Sequence, residues 1–250
     1  MYDFYSDTKT KPSNAMLKYA LGRSFGDEQK DEDPTTLELC ERVAGLLGKE
    51  SAVFLPSGTM CNEIAIAVQT SPGDEILCDR SCHIINLEGG APAAMSGVMV
   101  HPLDGKYGQF TEKDIMQALR PKSRHMPISR MLCAEQTVNL GGGAVWPLEK
   151  LDSVAQVAKK SGLSTHLDGA RLLNACAKTG ISAGRYSREY DSCWIDFTKG
   201  LGAPVGAVLA GNAEFIEAAW RAKQRIGGAM RQSGVIASFC LYALENNVER

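Results

Sequence analysis

The chain predicts an α/β fold, a mostly parallel seven-stranded sheet with helices on both faces. Strand-length apolar runs recur along it, each bounded by Gly, Pro, Ser or Asp, and helical patterns separate several of them. Composition agrees: 250 residues, 44% hydrophobic and 22% charged, suit one well-packed large domain or a domain with an appendage.

In chain order, the opening MYDFYSDTKTKPS is polar and lacks the apolar core of a signal peptide. A helical pattern over 35–47 leads to the first run, SAVFLP (51–56), and a second helix over 60–69 leads to EILCD (75–79). GVMVHP (97–102) and RMLCAE (130–135) follow, then a helix over 148–161 and LSTHLD (163–168). CWIDFT (193–198) and VGAVLA (205–210) complete the strands, before helices over 213–225 and 236–248. In such sheets ligands bind at the carboxyl ends of the strands, so the residues just after each run are the candidates for chemistry.

Charge excludes some partners. With 27 basic and 29 acidic residues well mixed, the net charge of −2 leaves no footprint for nucleic acid or an anionic membrane. No segment approaches the roughly 20 apolar residues of a membrane span. The eight cysteines show neither CxxC pairs nor zinc spacing, so no metal is expected; they read as reduced core residues of a soluble, cytoplasmic protein. A small molecule is the expected partner.

Each strand end has two readings. Ser57, Gly58 and Thr59 open a helix, either as an ordinary N-cap with a tight turn or as a cradle for phosphate or carboxylate. His83, with Glu88 in the same loop, is a structural histidine or a group that faces a ligand. Asp168 caps the helix after it or serves a site, with Arg171 one turn further on. Lys199, in DFTKGLGAP, is a solvated loop lysine or an amine pressed among small residues, desolvated toward its nucleophilic form. Taken together they match the four needs of one cofactor, pyridoxal 5′-phosphate. Lys199 would form its Schiff base, Ser57-Gly58-Thr59 its phosphate cradle, Asp168 the partner of its pyridine nitrogen and His83 the flat group over its ring.

The stretches SDTKTKP (6–12), GDEQKDEDPTTLELCERVAGLLGKE (26–50), FLPSGTMCN (54–62), the HI…EGG segment (83–90), HLDGARL (166–172), FTKGLGAPVGAVLAG (197–211) and GGAMRQSG (227–234) run in order across the chain. In them the sequence resembles the aromatic amino acid β-eliminating lyase/threonine aldolase family, specifically low-specificity L-threonine aldolases of fold type I. The resemblance implies the Schiff-base lysine at Lys199, the pyridine partner at Asp168, the stacking histidine at His83 and phosphate binders at Gly58 and Thr59. It further implies substrate-carboxylate binding by Ser6 and Arg171, with Arg171 also part of the cofactor site, and a second active-site histidine at His125. Arg231 matches a residue that reaches a neighbouring subunit's cofactor, so a homo-oligomer, dimer or tetramer, is implied. The implied reaction is retro-aldol cleavage of L-threonine or L-allo-threonine to glycine and an aldehyde, with the base open among His83, His125 and a water.

The chain departs from the family at several places. Lys30 stands where a tyrosine is common, Gln136-Thr137-Val138 where an asparagine-threonine-histidine run follows the glutamate, and Gln224, beside Lys223, where a lysine precedes the glycine-rich run. The expected organisation is a cofactor-binding large domain over 1–250, with an N-terminal arm over about 1–30 and the family's small C-terminal domain missing after Arg250. That leaves two further readings: another lyase or an aminotransferase on the same scaffold, or a cofactor-binding protein of weak activity.

Overall fold

The computed structural model describes residue 3 and residues 5–248; the outermost residues of the expected domain, Arg250 included, lie outside the described residues. Two helices, α1 (Asn14–Leu21) and α2 (Pro34–Leu47), precede β1 (Ser51–Leu55), α3 (Gly58–Gln69) and β2 (Glu75–Asp79). The short α4 (His83–Asn86) and α5 (Ala91–Ser96) lead to β3 (Met99–Leu103), α6 (Glu112–Ala118) and β4 (Ser129–Glu135). After α7 (Leu148–Lys160) and β5 (Ser164–Asp168) come α8 (Leu172–Thr179), α9 (Ala183–Ser187), β6 (Ser192–Asp196) and β7 (Ala207–Gly211). Helices α10 (Ala213–Arg225) and α11 (Gly234–Asn246) close the described chain.

All seven strands expected from the sequence are present, and they form one sheet in the order β1-β7-β6-β5-β4-β2-β3. β7 is antiparallel to both neighbours, and the remaining pairings are parallel. Successive side chains of a strand enter opposite cores. Val53 and Leu55 lie in the layer under α3 and α10, whereas Phe54 lies in the layer with Leu39 of α2 and Val154 of α7. Burial on both faces is why the strands read as continuous apolar runs. Capping sets the helix starts: Asp33 accepts from the N–H of Thr36 at 2.9 Å ahead of Pro34, and Ser57 accepts from the N–H of Met60 at 3.3 Å.

This frame gathers polar groups at one sheet edge. The β4–β5 register sets Glu135 directly beside Asp168, and Asp196 ends the next strand. Two glycines let the backbone close in. A Cβ on Gly58 would stand 2.2 Å from the Trp194 ring, and one on Gly169 would stand 2.0 Å from the Trp194 carbonyl oxygen. All eight cysteines are free, and six are buried. Among the described residues no helix is long and apolar enough to cross a membrane.

Candidate active site

A cavity of about 370 Å³ opens at the carboxyl ends of β5 and β6, beside the first turn of α3. Gly58, Thr59, His83, Asp168, Arg171 and Lys199 line it, with Ser6 and Thr8 from the N-terminal arm. Residues as far apart in the chain as Ser6 and Lys199 thus meet in one hollow. Of the first-turn N–H groups of α3, that of Met60 is taken by Ser57, whereas those of Gly58 and Thr59 have no acceptor within the helix and are available to an anion.

The floor of the cavity is a buried polar network centred on Asn62, which packs one turn into α3. Its Oδ1 accepts from the Trp194 indole N–H at 2.7 Å and from His166 Nε2 at 3.1 Å. Its Nδ2 donates to Asp168 at 2.9 Å and to Glu88 at 2.6 Å. All four hydrogen-bonding positions of the amide are filled, which fixes its orientation. His166 is pushed down to about 3 by burial, so it stays neutral, with Nδ1 accepting from Ser192 at 2.8 Å. Asp168 is 3% exposed, and burial raises its carboxyl although Asn62 and the N–H of Ala170 donate to it. The bond to Ala170, 3.0 Å, closes a local turn and is not the helix cap the sequence allowed: α8 starts at Leu172, with Arg171 at its N-cap and no side-chain capping bond.

His83 sits above this floor, its Nδ1 2.8 Å from Oε1 of Glu88. The hydrogen bond to Glu88 raises the imidazole, against the opposing effect of burial, and Asp168 adds to the rise. Glu135 lines the same cavity and accepts from the N–H groups of His83, at 3.1 Å, and Asn139, at 3.0 Å. Burial and the charge of Asp168 raise Glu135 to about 7.

The mouth is built from ion pairs. Lys199 is paired with Asp196, and its Nζ lies 5.8 Å from the centroid of the Trp194 ring. Its side chain is 16% exposed, with an acid at the end of the preceding strand as partner. Arg171 forms a two-pronged pair with Asp7, Nε and one terminal nitrogen each at 2.8 Å from a carboxylate oxygen. Burial alone would raise Asp7, yet the hydrogen bonds and charge of Arg171, with Lys199, hold it below the usual range. Thr10 ties the arm down by donating to the Lys199 carbonyl at 2.6 Å.

Other sequence candidates stand apart. Ser57 is exposed, caps α3 and is outside the lining. His125 lies exposed on the loop before β4, outside the cavity, where its N–H donates to Ser123 at 3.2 Å. Arg231 is exposed too and pairs with Asp27 at 2.9 Å. Gln136, Thr137 and Val138 are buried outside the lining, with Gln136 bonded to the backbone of Trp146, so this departure repacks the core. Lys223 is fully buried against Glu28 at 2.7 Å and over the Trp220 ring at 4.1 Å, whereas Gln224 is exposed. Asn62, Glu135, Trp194 and Asp196 were not singled out in the sequence. Asn62 closes the FLPSGTMCN stretch, Glu135 and Asp196 end β4 and β6, where their polarity is the available signal, and Trp194 lies in the middle of β6.

The beta-eliminating lyase profile matches residues 3–250. The chain belongs to that family. It is 36% identical to the low specificity L-threonine aldolase of Escherichia coli strain K12 over 251 residues, covering 100% of the chain and 74% of that protein. It is 39% identical to an uncharacterized protein of Caenorhabditis elegans over 245 residues, covering 98% of the chain and 59% of that protein's length. The solved threonine aldolase of Leishmania major superposes with a TM-score of 0.88 at 22% identity, over 100% of this chain and 74% of that one, which establishes the shared fold.

The family depends on pyridoxal 5′-phosphate, and the donor set fits that group. A buried carboxylate raised by desolvation has room for a cationic ring N–H, a helix N-terminus faces the same hollow, and a shielded lysine closes it. The close approach of Gly58 to Trp194 also leaves no room for a Cβ in that wall.

Proposed function

We propose that the chain cleaves L-threonine, L-allo-threonine or related β-hydroxy-α-amino acids to glycine and an aldehyde. The observation that carries this reading is the single cavity that joins Lys199, Asp168, His83, Arg171 and the α3 N-terminus. Lys199 would anchor the cofactor through Nζ, Gly58 and Thr59 would hold its phosphate, with Ser57 capping that turn, and Asp168 would face its ring nitrogen. Bound there, pyridoxal 5′-phosphate supplies an electron sink for the bond broken at Cα.

The chain's own residues do the rest. Arg171 would exchange the Asp7 carboxylate for that of the substrate, with Ser6 beside it, and so hold the substrate in one orientation. Asp168, fixed by Asn62 and Ala170, keeps the ring nitrogen protonated. His83, lining the same cavity, would stack on the cofactor and take the β-hydroxyl proton, its raised proton affinity set by Glu88. Of the candidate bases, His83 alone among the two histidines lines the cavity, which favours it over His125. Arg231, exposed and outside the lining, would serve a neighbouring copy in a homodimer or homotetramer. Free cysteines support a reducing, cytoplasmic setting.

The test is to load the purified chain with pyridoxal 5′-phosphate, incubate it with L-threonine and measure glycine, acetaldehyde and 2-oxobutyrate. Glycine and acetaldehyde in equal amounts support the reading, and borohydride reduction should fix the cofactor on Lys199. Release of 2-oxobutyrate alone replaces it with β-elimination, and cofactor trapped on another lysine sinks the assignment.

A further inference from the structure

Glu63 follows Asn62 on α3, and the chemistry above makes no use of it. It is 3% exposed, and neither of its carboxyl oxygens meets a donor among the described residues. Glu88 is 6% exposed. Its Oε1 accepts from Asn62 and faces Nδ1 of His83, whereas its Oε2 is buried without a donor. Glu63 follows directly on Asn62, whose Nδ2 donates to Glu88 at 2.6 Å, and the Glu88 carboxyl is the charged group that acts on Glu63. Two ionised carboxylates in contact inside a protein repel each other and each lacks the solvent that would stabilise it, so a proton between them is the favourable arrangement. Oε2 is the free acceptor position on Glu88, and a protonated Glu63 is the group that can fill it.

We propose that Glu63 and Glu88 hold one proton between them, with Glu63 donating its O–H to Oε2 of Glu88. Glu88 then stays ionised and fixes both the ring orientation and the Nδ1 proton of His83. Glu63 is a positioning residue that acts on the cavity through Glu88, without touching the reacting atoms.

The surrounding charges agree. Burial, then the hydrogen bond and charge of Glu88, raise Glu63 to about 8, so it carries the proton at neutral pH. Glu88 is the charged group that acts on Glu63, and Glu88, Asp168 and Glu135 are those that act on His83. A neutral Glu63 thus lets the carboxylate–imidazole pair exist without a further buried negative charge behind it. The catalytic meaning of this arrangement rests on the role of His83 proposed above, but the proton sharing itself does not.

The experiment is a pH titration of the histidine ring signals by NMR, on the full chain with and without added pyridoxal 5′-phosphate. Wild type, Glu63→Gln and Glu63→Leu are compared, and the His83 signal is assigned by its loss in His83→Asn. Glu63→Gln keeps a donor on Oε2 and should leave the His83 midpoint within a few tenths of a pH unit of wild type at neutral pH. Glu63→Leu strips that donor together with its proton, leaves the Glu88 charge less stabilised and should lower the proton affinity of His83 about tenfold, one pH unit. Equal midpoints in all three proteins, or equal shifts in the Gln and Leu variants, overturn the proposal.

Should Glu63→Leu fail to fold, stability against pH in wild type and Glu63→Gln decides. The folded value of Glu63 lies above its ordinary 4.5, so its contribution is fully present below about 4.5 and is lost as pH rises through about 8. Wild type should therefore lose stability relative to Glu63→Gln across that window, and parallel curves overturn the proposal. A shifted His83 midpoint with an unmoved pH profile for threonine cleavage would uphold the shared proton while removing His83 as the base.

Discussion

The floor and the mouth of the cavity handle charge in opposite ways. Around Asn62 every amide position is filled, and the partners Asp168, Glu88, His166 and Trp194 are buried. At the mouth the two cations are held by carboxylates of the chain itself, Arg171 by Asp7 and Lys199 by Asp196. A satisfied network in a low-dielectric interior resists rearrangement, because any broken bond leaves a desolvated group unpaired. An ion pair within reach of water can be exchanged for another of the same sign at little cost. The floor therefore supplies geometry, and the mouth supplies groups whose present partners stand where a ligand's charges belong.

The largest break in that contrast comes from removing the exchangeable cation. Lys199→Ala should lower turnover on the order of 10⁴-fold or more, the scale seen when a covalent catalytic group is deleted. The fold should survive, since the side chain lies at the mouth with Asp196 as its ion-pair partner. Circular dichroism with an assay for glycine release checks both halves, and near-normal turnover would remove Lys199 from the site.

On the floor, Asp168→Asn should cost about 10²- to 10³-fold in turnover, the range for one preorganised electrostatic contact. Cofactor retention should hold, because the lysine anchor and the α3 N-terminus are untouched. Equal losses in cofactor affinity and turnover would reduce Asp168 to the local turn that its bond to Ala170 closes.

Asn62→Leu tests whether the floor is as rigid as its bonding suggests. It would strand donors on Trp194 and His166 and acceptors on Asp168 and Glu88, at a net cost of about 3 kcal/mol. For a chain of this length that corresponds to a fall in Tm of roughly 6–12 °C. A fall of under about 2 °C would show that the network relaxes freely.

The same contrast explains what was legible beforehand. Asp168, Lys199 and the Gly58-Thr59 turn each follow an apolar run directly, and a parallel sheet sends such residues to one edge, so position along the chain was enough. Glu135 depended on register. Its place beside Asp168 comes from which residue of β4 faces which of β5, and that is a long-range packing outcome. Asn62 and Glu63 read as the polar positions of a helix, yet both lie in the interior because α3 is covered by the sheet on one side and by α5 and α10 on others. His125 shows the converse: a resemblance placed it in a site, but the loop before β4 leaves it exposed and outside the lining.

The smallest effect belongs to the exchange step itself. If the substrate carboxylate replaces Asp7 on Arg171, Asp7→Asn removes the competitor without touching the groups that move protons. An amide still accepts one hydrogen bond from the guanidinium, so Arg171 keeps its orientation while losing the charged partner that a substrate must displace. KM for L-threonine should fall about three- to tenfold with kcat unchanged, the pattern of a change in ground-state binding alone. The pH dependence has a sign as well. Asp7 is held below its ordinary 3.8, so its pairing contributes stability above about that pH and loses it as pH falls through the lower folded value. Asp7→Asn should lose that acid-side slope, giving stability that varies less than wild type below about pH 4. A raised KM would instead assign Asp7 the task of holding Arg171 in place for the substrate, and the mouth would then be as preorganised as the floor.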